Sequence, residues 1–278
     1  MSIHSAEVFA GLHKAGDPLL LANAWDVASA VAVQAAGAHA IATTSAGVAW
    51  SLGVPDAGGL DAHNAAEVIG RIAAAVSVPV SADIEAGYGD SPDAVATTVA
   101  AVVRAGAVGV NLEDRRDGAS LFASAQQAER LAAARAAAGD VPVWINARTD
   151  IFLSRACPST RAAVAAALER AAVYKAAGAD SLFVPGLADM RAIAELAAGP
   201  LPLAVMAWPG APTVPELTTA GVVRISLGSA IAQAAYGLAA RAAAELFTSG
   251  TYDLSANGIE YETMNNALST ASTQPGTP

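Results

Sequence analysis

A single cysteine, Cys157, stands in a chain of 278 residues, so no internal disulfide framework is available and a reducing compartment is indicated. Charge is also scarce, at 14% of residues against 54% hydrophobic, which leaves ample apolar material for one large core. The 15 basic residues are scattered through a chain of net charge −10, against nucleic acid or an anionic membrane as partner. Gly, Pro or a charge interrupts every apolar run before about 18 residues, so no membrane span is expected. Met1 to His13 show no basic segment followed by an apolar one, so no signal peptide is expected and the reading is soluble and cytoplasmic. The four histidines (His4, His13, His39 and His63) pair with no nucleophile in the sequence pattern, against a Ser–His or Cys–His hydrolase, and Cys157 beside Pro158 reads as structural.

What the chain does contain is a regular alternation. Short apolar runs at Leu19–Asn23, Ala40–Thr44, Val78–Asp83, Gly109–Leu112, Val143–Ala147, Ser181–Val184, Leu201–Met206 and Val222–Ser226 read as eight strands. Ala-rich helical stretches lie between them, among them Asp61–Val76, Ser91–Ala105, Ser124–Ala138 and Ser159–Ala177. Strands hydrophobic almost throughout, separated by helices, indicate a parallel sheet covered on its outer face. Several helices end Ala-Gly (Gly37, Gly106, Gly178, Gly221), where a left-handed residue closes a helix just before the next strand. Eight such units predict an α/β fold, a (β/α)8 TIM barrel, over a doubly wound sheet, since no Gly-x-Gly-x-x-Gly follows the first strand. Residues 1–250 are expected to form the catalytic barrel and 251–278 a helical extension with a flexible Ser/Thr/Pro-rich tail from Ser269.

In a barrel the chemistry belongs at the C-terminal ends of the strands. Polar residues fall there along strands one to five: Asn23 and Asp26; Thr43, Thr44 and Ser45; Asp83 and Glu85; Asn111, Glu113 and Asp114; Asn146, Arg148 and Asp150. Asp83 and Glu85 are spaced to share one side of a strand. With Glu113 they make a like-charge cluster that calls for a cation, and Mg²⁺ takes such oxygen ligands while keeping waters. Blander roles stand beside these: Asp26 as a helix cap, Asp114 paired with Arg115 or Arg116 at the surface, Asp150 orienting Arg148 or turning the chain.

Six segments, in order across residues 15–230, resemble the isocitrate lyase/phosphoenolpyruvate mutase superfamily. They are Asn23–Asp26, Ser51–Asp56, Asp83–Gly89, Val110–Asp114, Asn146–Asp150 and Arg224–Gly228. The resemblance implies a barrel whose eighth helix, here Ser229–Thr248, is swapped between paired subunits of a homodimer or homotetramer. It also implies Mg²⁺, in some members Mn²⁺, and a small 2-oxo or 2-hydroxy carboxylate substrate. By position, Asp83, Glu85 and Glu113 are the implied metal residues, and Asp56, Arg148 and Glu113 the implied catalytic ones. Trp25, Thr44, Ser45, Ala46, Gly47, Asp83 and Arg148 are implied to bind substrate.

Departures from the family pattern narrow the reading. The loop after strand four, Arg115 to Phe122, lacks the Cys and His of isocitrate and methylisocitrate lyases, and Val184-Pro185-Gly186 lacks their glutamate. The chain therefore reads as a phosphonomutase-like branch rather than a typical isocitrate or methylisocitrate lyase. The expected activity is C–C cleavage, oxaloacetate decarboxylation being the simplest case, through a metal-stabilised pyruvate enolate. P–C bond chemistry, or 2-oxo-acid binding with weak activity, are the alternatives. Residues 115–123, with Gly118, are expected to be a mobile loop that closes over the ligand.

Overall fold

The structure, a computed structural model, describes residues 3–116 and 120–272. Gly118 of the expected mobile loop and the last six residues of the expected tail lie outside the described residues. Nine parallel segments form one sheet: β1 (Leu19–Leu21), β2 (Asn23–Ala24), β3 (Ile41–Thr43), β4 (Val80–Asp83), β5 (Gly109–Glu113), β6 (Trp144–Arg148), β7 (Ser181–Val184), β8 (Leu203–Met206) and β9 (Arg224–Ser226). β1 pairs with β9 and β2 with β3, so the two pieces of the first strand, broken at Ala22, close the sheet into a (β/α)8 barrel. Asn23 holds the seam from inside: its Nδ2 donates to Thr43 O (3.0 Å) and its Oδ1 accepts from the Leu227 N–H (3.1 Å).

The helices are α1 (Ile3–Gly11), α2 (Val27–Ala35), α3 (Ser45–Ser51), α4 (Ala62–Ala75), α5 (Pro92–Ala105), α6 (Ser124–Ala137), α7 (Thr160–Ala176), α8 (Met190–Ala197), α9 (Val214–Thr219), α10 (Ala230–Ser249) and α11 (Tyr261–Ser272). Their starts follow ordinary capping. Asp26 accepts from the Ser29 N–H at 2.7 Å, which is the cap role expected of it, and Ser91 and Ser159 accept likewise from Ala94 and Ala162. The expected glycines after α2, α5, α7 and α9 all have positive φ. α3 begins where the sequence pattern reads only a strand end, and α11 carries helix through Ser269–Ser272, where the tail was expected to begin.

The core lies between strands and helices, with Val99, Leu131, Ile145, Leu182 and Leu203 all buried. The barrel axis is polar lower down. Arg224, 1% exposed, donates from Nη2 to Asn111 Oδ1 (3.1 Å), which also accepts from Asn146 Nδ2 (2.8 Å). Burial lowers the Arg224 pKa to about 10, with the Asp83 charge acting the other way.

α1 covers the N-terminal end of the barrel. A Cβ on Gly109 would lie 2.5 Å from the Phe9 ring, so glycine is required there. His13 stacks on Trp144 at 4.0 Å and shares a hydrogen bond with Phe9 O (3.0 Å), and burial lowers its pKa from 6.5 to about 3. Between those two values the unfolded chain binds a proton that the folded chain refuses, so His13 makes stability fall as pH drops below 6.5. Denaturant unfolding of the protein and of His13→Phe between pH 7.5 and 4.5 checks this. Relative to the variant, the parent is expected to lose up to about 1.4 kcal/mol per pH unit below 6.5.

Candidate active site

The barrel mouth is organised around Asp83, the last residue of β4. Its backbone N–H donates to Thr43 Oγ1 (2.9 Å), and its Oδ2 accepts from the Ser45 N–H (3.2 Å). Oδ1 is buried without a partner. Burial pushes this carboxyl up from the usual range, while the Arg148 charge and the Ser45 N–H pull it back.

β4 ends at Asp83, so strand alternation does not bring Glu85 beside it, contrary to the spacing argument. A left-handed turn does so instead: φ is +49° at Glu85, +86° at Gly87 and +53° at Tyr88. Glu85 is 8% exposed, and its Oε1 is also buried and unpartnered. Burial, then the charges of Asp56 and Asp83, raise its pKa to about 7, against the backbone N–H of Gly58. The exposed Asp56 loop is thereby placed over Glu85, with Gly59 packed so tightly on Pro55 that a Cβ would meet its carbonyl at 2.1 Å.

Glu113 and Arg148 are paired neighbours on β5 and β6, with Oε2 2.9 Å from Nη1. Burial raises the Glu113 pKa to about 8 despite Arg148, with Asp150, Asp83 and Glu85 adding to the rise. Asp150 grips the other edge of the guanidinium, Nε to Oδ1 at 2.6 Å and Nη2 to Oδ2 at 2.9 Å, the orienting role considered for it. Burial alone would lower the Arg148 pKa, but Glu113 and Asp150 hold it charged.

Asp114 corrects the surface-pair reading. It is fully buried, and its Oδ2 accepts from Arg170 Nη1 (3.0 Å) and Tyr174 Oη (2.9 Å) on α7, while its Oδ1 accepts from the Asp150 N–H (3.0 Å). Arg116 instead pairs with Asp90 at 3.3 Å, and Arg115 lies 3.8 Å from Asp150.

Thr44 holds the N-cap position of α3 with no capping bond from its side chain, and Ser45, Ala46 and Gly47 form the buried first turn. The Ser45 N–H is taken by Asp83, whereas no helix carbonyl takes those of Ala46 and Gly47. Gly47 has a packing reason, since a Cβ there would lie 2.7 Å from Trp25 Cβ. Trp25 is half-buried, its ring 6.3 Å from that of Tyr236 on α10.

A cleft of about 540 Å³ opens beside these groups, lined by Gly58, Glu85, Tyr88, Glu113, Arg115 and Arg116. Tyr88, whose hydroxyl is buried and unpartnered, escapes strand-end reasoning because it follows the strand by five residues. Thr43 is among the strand-end residues expected at the mouth, and its part there is to support the Asp83 backbone.

Asp83, Glu85 and Glu113 do not close into a cage. Among the described residues no three His, Cys, Asp or Glu side chains are grouped to hold an ion. The donor set still fits Mg²⁺, which keeps several waters and needs one or two carboxylates. Asp83 Oδ1 and Glu85 Oε1 are buried oxygens with nothing to bind, and both groups resist ionisation without a cation.

A (β/α)8 barrel with clustered carboxylates and one clamped arginine at the strand ends defines an enzyme of the isocitrate lyase/phosphoenolpyruvate mutase class, whose members are C–C lyases or mutases. The chain matches the family model described as phosphoenolpyruvate phosphomutase over residues 9–247 and belongs to that family. An uncharacterized protein of Mycobacterium tuberculosis is 39% identical over 240 residues, 84% of this chain and 87% of that one. The 2-methylisocitrate lyase of Salmonella typhimurium is 31% identical over 237 residues, 80% and 78% of the two chains. A solved Burkholderia cenocepacia protein with a provisional phosphonomutase name is 43% identical at TM-score 0.81, covering 89% of this chain and 99% of its own. A phosphonopyruvate hydrolase complexed with oxalate and Mg²⁺, at 22% identity and TM-score 0.82 over 96% of this chain and 95% of that one, shares the fold.

The Asp114 cluster is expected to matter for folding. Asp114→Ala removes the counter-charge of the largely buried Arg170 guanidinium, leaving it only Phe122 O and the Tyr174 hydroxyl, which costs about 3 kcal/mol. A melting temperature lowered by roughly 10 °C in calorimetry is the expected outcome.

Proposed function

We propose that the chain is a Mg²⁺-dependent lyase that cleaves a C–C bond of a small 2-oxo or 2-hydroxy carboxylate, as in oxaloacetate decarboxylation. The observation that carries this is the pair of unpartnered buried carboxylate oxygens, on Asp83 and Glu85, beside a charged and clamped Arg148. Asp83 and Glu85 would hold the ion, directly or through waters, with Glu113 reaching it through water. When bound, Mg²⁺ supplies a Lewis acid that disperses charge gathering on the 2-oxo oxygen as the bond to C3 breaks.

The chain's own residues do the rest. Asp150 fixes Nε and Nη2 of Arg148, so the guanidinium meets the substrate carboxylate with Nη1, where Glu113 now sits. The free first-turn N–H groups of Ala46 and Gly47 aim donors at developing oxygen charge, and Trp25 walls the pocket on that side. Carbon dioxide leaves with no proton donated to it, so the missing cysteine of the β5 loop is no obstacle. The P–C reading would draw on Arg115 and Arg116, which line the same cleft but already face Asp150 and Asp90.

Pyruvate release, coupled to lactate dehydrogenase, tests the reading on oxaloacetate, phosphonopyruvate and methylisocitrate. Mg²⁺-dependent turnover of oxaloacetate is expected, with Asp83→Ala lowering kcat/KM more than about a hundredfold. Turnover of phosphonopyruvate alone supports P–C chemistry, and tight 2-oxo-acid binding without turnover supports a binding protein.

The assembly is part of the same reading, with residues 1–250 as the barrel and 251–278 as its extension. Of the twenty residues of α10 only Ala232 is buried, and Tyr236, Leu238, Leu246 and Phe247 stand exposed, Phe247 at 82%. An apolar groove of about 640 Å³, lined by Leu12, Leu19, Leu20, Val33, Ala36 and Ile231, lies open on the outside of the barrel. A second copy, exchanging α10, is the occupant that matches both surfaces. Light scattering is expected to give a dimer or tetramer, and a monomer overturns the exchange.

A further inference from the structure

We propose that Arg130 on α6 is a positioning residue that sets the metal-facing turn of the active site; this rests on the reading of Glu85 as an ion-facing residue. Arg130 is 1% exposed, and its guanidinium meets backbone carbonyls. Nη1 donates to Gly89 O (2.8 Å) and Asp90 O (2.5 Å), and Nη2 to Ala86 O. Nε donates to Gln127 Oε1 (2.9 Å), and Gln127 Nε2 in turn donates to Glu113 O (3.2 Å). The guanidinium also lies over the Phe122 ring at 4.1 Å. Arg130, with Gln127 as its relay, therefore joins the turn after β4, the end of β5 and the far end of the loop that follows β5.

Two physical arguments separate this from ordinary packing. A buried cation satisfied by carbonyls is an expensive way to fill space, since an apolar side chain of similar volume would avoid the desolvation cost. The turn it holds is one that needs holding: Glu85 and Tyr88 are non-glycine residues in the left-handed region, conformations that persist only where surroundings over-determine them. The planar fork, with several donors in fixed directions, suits that task in a way a lysine ammonium does not. Thr98 Oγ1 adds a further tie, donating to Gly87 O at 2.8 Å.

The same helix carries its own control. Arg135, five residues on, donates to Gly178 O (3.1 and 2.8 Å) and Val143 O (2.6 Å) and pairs with Asp180, at the opposite end of the barrel. It makes a comparable set of bonds with no site group among its partners.

The test is Mn²⁺ binding followed by electron paramagnetic resonance on the full chain, with Arg130→Lys, Arg130→Ala and Arg135→Lys, each with its melting temperature. Arg130→Lys is expected to weaken Mn²⁺ binding about 10- to 100-fold, the range for groups that orient metal ligands. Arg135→Lys is expected to lower the melting temperature while leaving Mn²⁺ affinity within about twofold. Guanidinium ion added to Arg130→Ala is expected to recover the affinity, and methylammonium is not. Equal losses from Arg130→Lys and Arg135→Lys, or undiminished affinity in Arg130→Lys, overturn the proposal while leaving the lyase reading intact. Absence of Mn²⁺ and Mg²⁺ binding by the parent protein overturns the lyase reading, and this proposal with it.

Discussion

Repulsion between buried carboxylates governs the mouth of this barrel. Asp83, Glu85 and Glu113 are gathered at one end of a low-dielectric wall, and each has a pKa raised by burial. Arg148 offsets part of the crowding, but Asp150 claims the same guanidinium, so one cation serves several anions. The cluster is left with two oxygens that nothing satisfies. A polypeptide that must gather acids without neutralising them has to hold them by their backbones, and much of the surrounding structure does so.

The supports come from strand-end neighbours and from the helices behind them. Thr43 fixes the Asp83 amide and Ser45 its carboxylate; Asp114, itself anchored to Arg170 and Tyr174, fixes the Asp150 amide. Arg130 and Gln127 hold the carbonyls of the next two segments. The arrangement explains why polar side chains penetrate a core otherwise built from Val, Leu, Ile and Ala. Thr43, Asp114, Gln127 and Arg130 are bonded to main chain that carries an active-site residue or the turn beside one, where a shift of an ångström would spoil the geometry.

How far the sequence reveals this depends on the distance over which each signal acts. The strands are legible because the residues of a strand covered on both faces are mostly apolar, as in Val80-Ser81-Ala82 or in Ser181–Val184 between Gly178 and Gly186. The strand-end acids are legible because barrel topology assigns them a place. α3 is hidden because Thr43–Gly47 continues an apolar strand without a helix-length pattern. Asp114 misleads because Arg115 and Arg116 are its neighbours in sequence, while its partner Arg170 lies 56 residues away. Arg130 carries no local signal at all: on a surface helix an arginine is ordinary, and only the folded chain brings Ala86, Gly89 and Asp90 within its reach.

The floor laid by α1 has a consequence for traffic. Phe9 fills the space above Gly109, His13 and Trp144 lie stacked beside it, and Arg224, Asn111 and Asn146 occupy the axis between floor and mouth. Among the described residues the barrel is filled at that end, and the cleft opens at the other, beside Glu85 and Glu113. On the proposed lyase reading, the fragments of a cleaved molecule would share that opening, the outer one leaving before the one held nearer Asp83.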